Sequence, residues 1–175
     1  MPFLRPLAIL SALVLLGAAS RAQDSGTKDG GIKIEKFHHS AWTKGIFSEA
    51  VTVTGIGNAK FIYLAGVGAE DENGPRGAIR HHGNLLEQCR YAYDKIKRVL
   101  AHHGADLNHV VKVTTYIADL RLRGTMPKCV GEAWGNTTFP ANTLLGISGL
   151  AYPEMLIEVD VTAVVERKSQ RAGSR

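Results

Sequence analysis

The stretch from Asn84 to Gly104 reads NLLEQCRYAYDKIKRVLAHHG, and its apolar residues recur every three or four positions. This spacing places them along one stripe of an α-helix. They are Leu85, Leu86, Cys89, Tyr93, Ile96, Val99 and Leu100. Asn84 followed by Glu87 resembles a capping box, and Gly104 suits the left-handed position that ends many helices. We therefore predict a helix over residues 84–103 with one buried face.

Six segments rich in alternating or β-branched residues surround this helix and predict strands. They cover residues 32–37, 49–54, 61–67, 110–118, 143–147 and 155–165. A second, shorter helix is predicted from Thr125 to Trp134, because Pro127 is tolerated in a first helical turn. Two helices beside a mostly antiparallel set of strands predict an α+β sandwich.

The last predicted strand, residues 155–165, has two faces of different character, because alternate residues point to opposite sides of a strand. We expect the wholly apolar side to pack on the helices; it carries Met155, Ile157, Val159, Val161 and Ala163. The other side mixes carboxylates with apolar residues, namely Leu156, Glu158, Asp160, Thr162 and Val164. Such a mixture is typical of a face that another subunit covers rather than of one that faces solvent.

The N-terminal segment, residues 1–22, is predicted to be a secretory signal peptide. Arg5 lies near its start, an apolar run of 13 residues spans Leu7 to Ala19, and small residues follow. The alternative, an uncleaved membrane anchor, needs about 20 apolar residues. We therefore expect a secreted or periplasmic protein with no membrane contact after cleavage. Residues 23–31 are predicted to be a flexible linker.

The net charge of +5 comes from the two ends of the chain. Residues 1–22 contribute +2, and residues 166–175, predicted to be a basic disordered tail, contribute +3. The rest of the chain carries fifteen basic and fifteen acidic side chains. A nucleic-acid surface needs a basic excess in the folded domain. We therefore predict that the protein has no nucleic-acid partner.

The cysteines, histidines and one acidic run complete the set of candidate groups. Cys89 and Cys129 lie on the two predicted helices, where they either form a disulfide or remain separate thiols. The seven histidines lack a metal-binding spacing, so we predict no metal site. The run Glu70–Gly74 (EDENG) is predicted to be an exposed turn rather than a cation site.

Seven short runs, in order and spacing, resemble the YjgF/RidA reactive-intermediate deaminase family, historically labelled endoribonuclease L-PSP. The runs are Ala65-Gly66, Gln88–Leu100, Gly104–Leu107, Val110–Leu120, Gly131–Trp134, Phe139–Thr143 and Ile157–Val159. The resemblance covers residues 32–165, which we take as one domain. It implies a chorismate-mutase-like two-layer sandwich that forms a homotrimer, with three clefts between neighbouring subunits.

The resemblance also implies an activity on small molecules, the hydrolysis of imines or enamines to a 2-oxo acid and ammonia without a metal or organic cofactor. In such chemistry an arginine holds the substrate carboxylate, and a carboxylate positions the attacking water. By the match of motifs, Glu158 is the catalytic glutamate. Four further residues fall at positions that line the cleft: Phe47, Ala65, Gly66 and Lys128.

One departure from the family pattern affects the expected substrate. The family's Pro-Ala-Arg is here Pro140-Ala141-Asn142, and an asparagine offers no charge to a carboxylate. The chain thus resembles a branch that lacks the arginine, and we expect Asn142 and Glu158 to contact a different or neutral imine, amide or enamine. The first alternative is a non-catalytic small-ligand-binding or stress-protective protein. The second is a ribonuclease, as the old label suggests.

Overall fold

The computed structural model describes residues 31–135 and 137–167. Its strands are β1 (Lys33–Phe37), β2 (Ala50–Thr54), β3 (Ala59–Tyr63), β4 (Val110–Ile117), β5 (Ala141–Gly146) and β6 (Ile157–Glu166). Its α-helices are α1 (Leu85–His102) and α2 (Met126–Trp134). The predicted signal peptide, most of the predicted linker, and residues 168–175 of the predicted tail lie outside the described residues. Within residues 31–135 and 137–167, no helix is long and apolar enough to cross a membrane.

A four-stranded sheet has the order β3-β6-β4-β5. Its neighbours are antiparallel except β4 and β5, which run parallel. β1 and β2 form a separate antiparallel hairpin. The backbone N–H of Ser48, just before β2, donates to the carbonyl of Pro140 at 3.0 Å, and Ser48 bridges to Ala141. These bonds attach the hairpin to the edge of the sheet at β5.

Both helices cover one face of this sheet, which confirms the predicted two-layer α+β sandwich. The predicted inward side of β6 is also confirmed, because Ile157, Val159, Val161 and Ala163 are at most 2% exposed. On the opposite side of β6, only Val164 is fully buried, and the residues before it are half-buried. β6 therefore presents one apolar face to the helices and one mixed face away from them.

The ends of α1 follow the capping rules. The side-chain oxygen of Asn84 accepts the backbone N–H of Glu87 at 3.2 Å, and Gly104 has a φ of +75°. The Asn84 cap and the Gly104 position confirm the predicted ends, but the capping box is incomplete. The Glu87 carboxylate pairs with Arg90, and the Asn84 N–H donates to the carbonyl of His81. The third strand differs from the predicted range of residues 61–67. β3 begins at Ala59 and ends at Tyr63, and the residues after Tyr63 bond to β6 only outside the regular ladder. β6 itself continues to Glu166, one residue into the predicted tail.

A disulfide bond joins Cys89 of α1 to Cys129 of α2, with Cα atoms 6.2 Å apart. Both cysteines are at most 1% exposed. The alternative of two separate thiols is therefore wrong. Arg90, next to Cys89, adds a bidentate contact to Glu132 of α2 at 2.7 Å for each bond. The disulfide and this ion pair fix the two helices side by side.

Gln88 is a fully buried polar side chain that connects α1 to the start of β6. Its amide nitrogen donates to the carbonyl of Glu154 at 2.8 Å. Its amide oxygen accepts the N–H of Leu156 at 2.8 Å. A buried amide with its bonds satisfied holds its partners in one geometry. Gln88 thereby positions the strand two residues before Glu158.

Candidate functional site

Glu158 lies on the side of β6 that faces away from the helices. Its register partner on β4 is Tyr116, and its side chain is half-buried. Gly66 lies directly against it. A Cβ placed on Gly66 would be 2.8 Å from Cγ of Glu158 and closer still to the carboxylate. Only glycine permits this approach. The backbone of Gly66, the second residue of the pair Ala65-Gly66, therefore lies directly against the carboxylate of Glu158.

An irregular pairing after β3 places Gly66 in this position. The N–H of Leu64 donates to Val161 at 2.9 Å, and Val67 exchanges two 3.0 Å bonds with Val159. Ala65 and Gly66 lie between these two anchors. The structure thus places Gly66 directly against Glu158, and Ala65, the preceding residue, is exposed.

The electrostatic surroundings of Glu158 disfavour its charged form. Burial raises the pKa of this carboxyl above its usual value, and the negative charges of Glu70 and Asp160 add to the rise. Asp160 lies two residues along the same face and accepts the phenol O–H of Tyr116 at 3.0 Å. Among the described residues, none donates a side-chain hydrogen bond to Glu158. Its carboxylate is therefore available to a water or a ligand.

Glu70 is the second carboxylate near this site, and it is firmly held. The ammonium of Lys95, a buried residue of α1, donates to Glu70 Oε2 at 2.9 Å and to its backbone carbonyl at 3.0 Å. The N–H of Gly68 donates to the same carboxylate oxygen at 3.2 Å. The run from Glu70 forms a turn, and Glu72, Asn73 and Gly74 are exposed as predicted, whereas Glu70 and Asp71 are half-buried. The next two acids also pair with basic residues, Asp71 with Arg80 and Glu72 with Arg98.

Asn142 lies on the other face of the sheet. It pairs in register with Val113, which is buried beneath the helices, and the strand side that they share faces the helical layer. Its side-chain oxygen Oδ1 is buried and has no hydrogen-bond partner within residues 31–135 and 137–167. A buried acceptor without a donor is unfavourable by about 1–3 kcal/mol, so this atom favours a ligand or a water that donates to it.

A cavity of about 600 Å³ lies beside Asn142, between β5, α2 and the loop before β2. Its lining is mostly apolar, with Asn142 and Arg123 as the polar side chains. The lining residues are Gly45, Ile46, Leu120, Arg123, Gly124, Met126, Pro127, Val130, Gly131, Phe139, Asn142 and Leu144. This volume is that of a typical small-molecule site.

The remaining predicted site residues lie near this cavity without lining it. Phe47 is half-buried and packs edge-on against Trp42, with ring centroids 5.5 Å apart. Ile46, its neighbour, forms that part of the cavity wall instead. Lys128 is exposed on α2, whereas Pro127 beside it contributes to the wall. Sequence reasoning missed Arg123, because nothing in LRLRG distinguishes it from Arg121.

The predicted site residues thus divide between the two faces of one sheet. Glu158 and Gly66 are on the face away from the helices, and Asn142 is on the helical side. A single chain does not bring Asn142 to Glu158. A site that uses both residues therefore takes them from two chains. No group of three or more His, Cys, Asp or Glu side chains suited to a metal ion occurs in the described part of the chain.

Comparison with known proteins identifies the family of this chain. A family model described as "Endoribonuclease L-PSP" matches residues 39–165. The chain belongs to the YjgF/Rid family. A RutC family protein of Pyrococcus abyssi is 34% identical over 123 residues, which is 70% of this chain and 88% of the relative. Its counterpart in Pyrococcus horikoshii is 30% identical over 122 residues, covering 70% and 89%.

Solved structures of the YjgF/Rid family share the fold. A conserved Rid-family protein of Yersinia pestis has a TM-score of 0.63 and 25% identity, covering 76% of this chain and 98% of its own. A YjgF-family protein of Neisseria meningitidis has a TM-score of 0.51 and 27% identity, covering 78% and 98%. These likenesses confirm the chorismate-mutase-like fold class.

Proposed function

We propose that the protein hydrolyses a small imine or enamine to a carbonyl compound and ammonia, with Glu158 as the catalytic carboxylate. Membership of the YjgF/Rid family supports a small-molecule deaminase or a related function. One observation carries the finer proposal: Glu158 is half-buried, has a raised pKa and has no donor among the described side chains, while the backbone of Gly66 lies against it.

The chemistry follows from these properties. A water held by the Glu158 carboxylate attacks the C=N carbon, and the carboxylate accepts the proton that the water loses. Glu158 returns this proton to nitrogen, which completes the carbinolamine. It then moves the proton of the new hydroxyl group to the same nitrogen, and the C–N bond breaks to give the carbonyl and ammonia. A raised pKa brings the carboxyl closer to working pH, where accepting and returning a proton are both efficient. The reaction needs no metal or organic cofactor.

The proposed site lies between subunits of a homotrimer. One subunit supplies Glu158, Ala65 and Gly66, and the next supplies Asn142 with Phe47 and Lys128 near it. The division of these residues between two sheet faces supports this arrangement. Exposed aromatic rings support it further, since Phe61 is 46% and Tyr63 74% exposed on the face that carries Glu158. Exposed aromatic side chains stacked on one another, as these two are, favour contact with another subunit.

The substrate differs from a short 2-imino acid in this proposal. Asn142 stands where the family motif has an arginine, so the bidentate, charged contact to a substrate carboxylate is missing there. We therefore place the chain in a branch of the family that lacks this arginine. Its ligand is an imine, enamine or amide whose N–H group satisfies Asn142 Oδ1.

Export to the periplasm or the cell exterior is part of the proposal. The predicted signal peptide, residues 1–22, is its first support. The Cys89–Cys129 disulfide is the second, because disulfides persist in oxidising compartments and are rare in the cytosol. N-terminal sequencing of the protein purified from the periplasm or the culture medium tests this point. A chain that retains residues 1–22 in the cytosol would contradict it.

Imine hydrolysis by the purified protein tests the reaction. Imines are generated in the assay by an amino-acid oxidase, and the decay of the imine is followed. We expect the wild-type protein to accelerate this decay, and Glu158→Gln to reduce the acceleration by about 100-fold or more. Asp160→Asn, two residues along the same face, is the matched control and should reduce it far less. Equal activity of wild type and Glu158→Gln would overturn the assignment.

The cavity beside Asn142 favours a second candidate, a non-catalytic small-ligand-binding protein. Under this alternative the protein binds ligands in the cavity but leaves imine decay unchanged. Ribonuclease activity has weaker support, because residues 23–165 carry no net charge. Ligand binding without hydrolysis over a broad panel of imines would favour the binding protein.

A further inference from the structure

The cavity beside Asn142 is much larger than a short imino acid. Its volume of about 600 Å³ falls in the range of sites that enclose drug-sized ligands. Apolar side chains form most of its wall, including Leu120, Met126 and Leu144. Burial of apolar ligand surface in such a wall is favourable in proportion to the area buried. The volume and lining therefore fit a ligand with an extended or aromatic apolar body.

Arg123 is the cation that lines this cavity. Its side chain forms no hydrogen bond or ion pair with any other described residue. Arg121, two residues earlier, differs in this respect, because its guanidinium pairs with Asp119 at 2.7 Å. An exposed guanidinium that lines a cavity and has no partner is available to a ligand anion, and its planar fork matches a carboxylate.

We propose that Arg123 binds the substrate carboxylate in place of the family arginine that Asn142 replaces, and that the cavity holds the substrate's apolar body. In this arrangement Asn142 Oδ1 accepts the N–H of the imine, and the C=N carbon faces Glu158 of the neighbouring subunit. The substrate class is a 2-imino acid with a long aliphatic or an aromatic side chain. As a statement about substrate, this inference rests on the proposed hydrolysis.

Binding of product analogues to the full-length protein tests the inference without relying on catalysis. The probes are 2-oxooctanoate and pyruvate, measured by isothermal titration calorimetry. We expect 2-oxooctanoate to bind at least about 30-fold more tightly than pyruvate, because each added methylene is buried. Arg123→Gln should weaken 2-oxooctanoate binding about 10-fold or more, since a charged hydrogen-bonding contact is lost. Arg123→Lys should restore part of it.

Two further variants make the result specific to the cavity. Arg121→Gln is the matched control, since Arg121 does not line the cavity, and it should leave binding unchanged. Gly131 does line the cavity, and a Cβ atom placed there meets no atom within 4 Å. Gly131→Phe should therefore block 2-oxooctanoate binding, and an unchanged melting temperature verifies that the variant folds. Equal affinities for both probes, or equal losses for Arg123→Gln and Arg121→Gln, would overturn the inference.

The inference and the proposed function fail in different ways. Arg123-dependent binding of 2-oxooctanoate without hydrolysis of any imine would support the cavity assignment and overturn the deaminase. Hydrolysis that depends on Glu158 but is insensitive to chain length and to Arg123→Gln would support the deaminase and overturn this inference.

Discussion

Gly66 lies against the side chain of Glu158 so closely that a single methyl group at Gly66 would overlap it. The contact arises because the chain leaves the regular ladder after β3 and rejoins β6 at Val67. The half-buried carboxylate of Glu158 therefore has the backbone of Gly66 on one side, and Asp160 lies two residues away on the same strand. The candidate site depends on this contact more than on any other within one chain.

The first prediction concerns Gly66→Ala. The new methyl group displaces the Glu158 side chain, and a misplacement of about 1 Å is enough to lower imine hydrolysis by about 10- to 100-fold. Gly57→Ala is the matched control, because a side chain at Gly57 meets no atom within 4 Å. Rates from the imine-decay assay and melting temperatures are compared for both variants. Full activity in Gly66→Ala would contradict the proposed position of Glu158.

The second prediction concerns pH and stability. The pKa of Glu158 is raised in the folded protein, so its ionisation destabilises the fold once the pH exceeds the unfolded value of about 4.5. Glu158→Gln removes that charge. We expect the variant to melt at a higher temperature than the wild type near pH 7.5. The difference should shrink as the pH falls through the folded pKa of Glu158 and vanish below about pH 4.5.

Thermal unfolding of both proteins from pH 4 to pH 8 measures this difference. A variant that is less stable than the wild type near pH 7.5, or a difference that does not change with pH, would show that Glu158 does not have a raised pKa.

Much of the fold could be predicted from local pattern. The period of α1, its Asn84 and Gly104 ends, and the alternation along β6 are short-range features, and the structure agrees with each. The pairing of Glu70 with Lys95 could not be predicted, because it joins a turn to a helix 25 residues away and depends on how the two pack. The position of Arg123 at the cavity could not be predicted either, because the cavity forms only when residues distant in sequence come together in the fold.

The site was only partly accessible to sequence reasoning. Motif matching identified Glu158, Gly66 and Asn142, but a one-dimensional match does not tell on which face of a sheet each residue lies. Register decides that point: Asn142 pairs with buried Val113, whereas Glu158 pairs with half-buried Tyr116.

The third prediction concerns the Cys89–Cys129 disulfide. It closes a loop between residues 40 positions apart, so removing it should lower the free energy of unfolding by about 4 kcal/mol through the entropy of the unfolded chain. Urea unfolding of Cys89→Ala/Cys129→Ala, compared with the oxidised wild type, measures the loss. Because both sulfurs are buried, mild reductant should leave the folded wild type intact. Equal stability of the two proteins would contradict a structural role for the bond.

The fourth prediction concerns Asn142→Arg. The large cavity leaves room for the longer side chain, which restores a charged, bidentate contact to a carboxylate. We expect hydrolysis of short 2-imino acids, such as that derived from alanine, to rise about 10-fold or more. Asn142→Met, of comparable length but uncharged, is the control and should show no rise. Absence of any gain in the arginine variant would argue against Asn142 as a substrate-binding residue.

The central claim, a site shared by Glu158 of one subunit and the Asn142 cavity of the next, is tested most directly by subunit complementation. Glu158→Gln and Gly131→Phe, each expected to be inactive alone, are co-expressed in equal amounts and purified together. Every mixed trimer then contains one cleft with both halves intact, so about a quarter of the wild-type activity should return. If each chain instead carried a complete site, every site would lack one half, and the mixture would remain inactive.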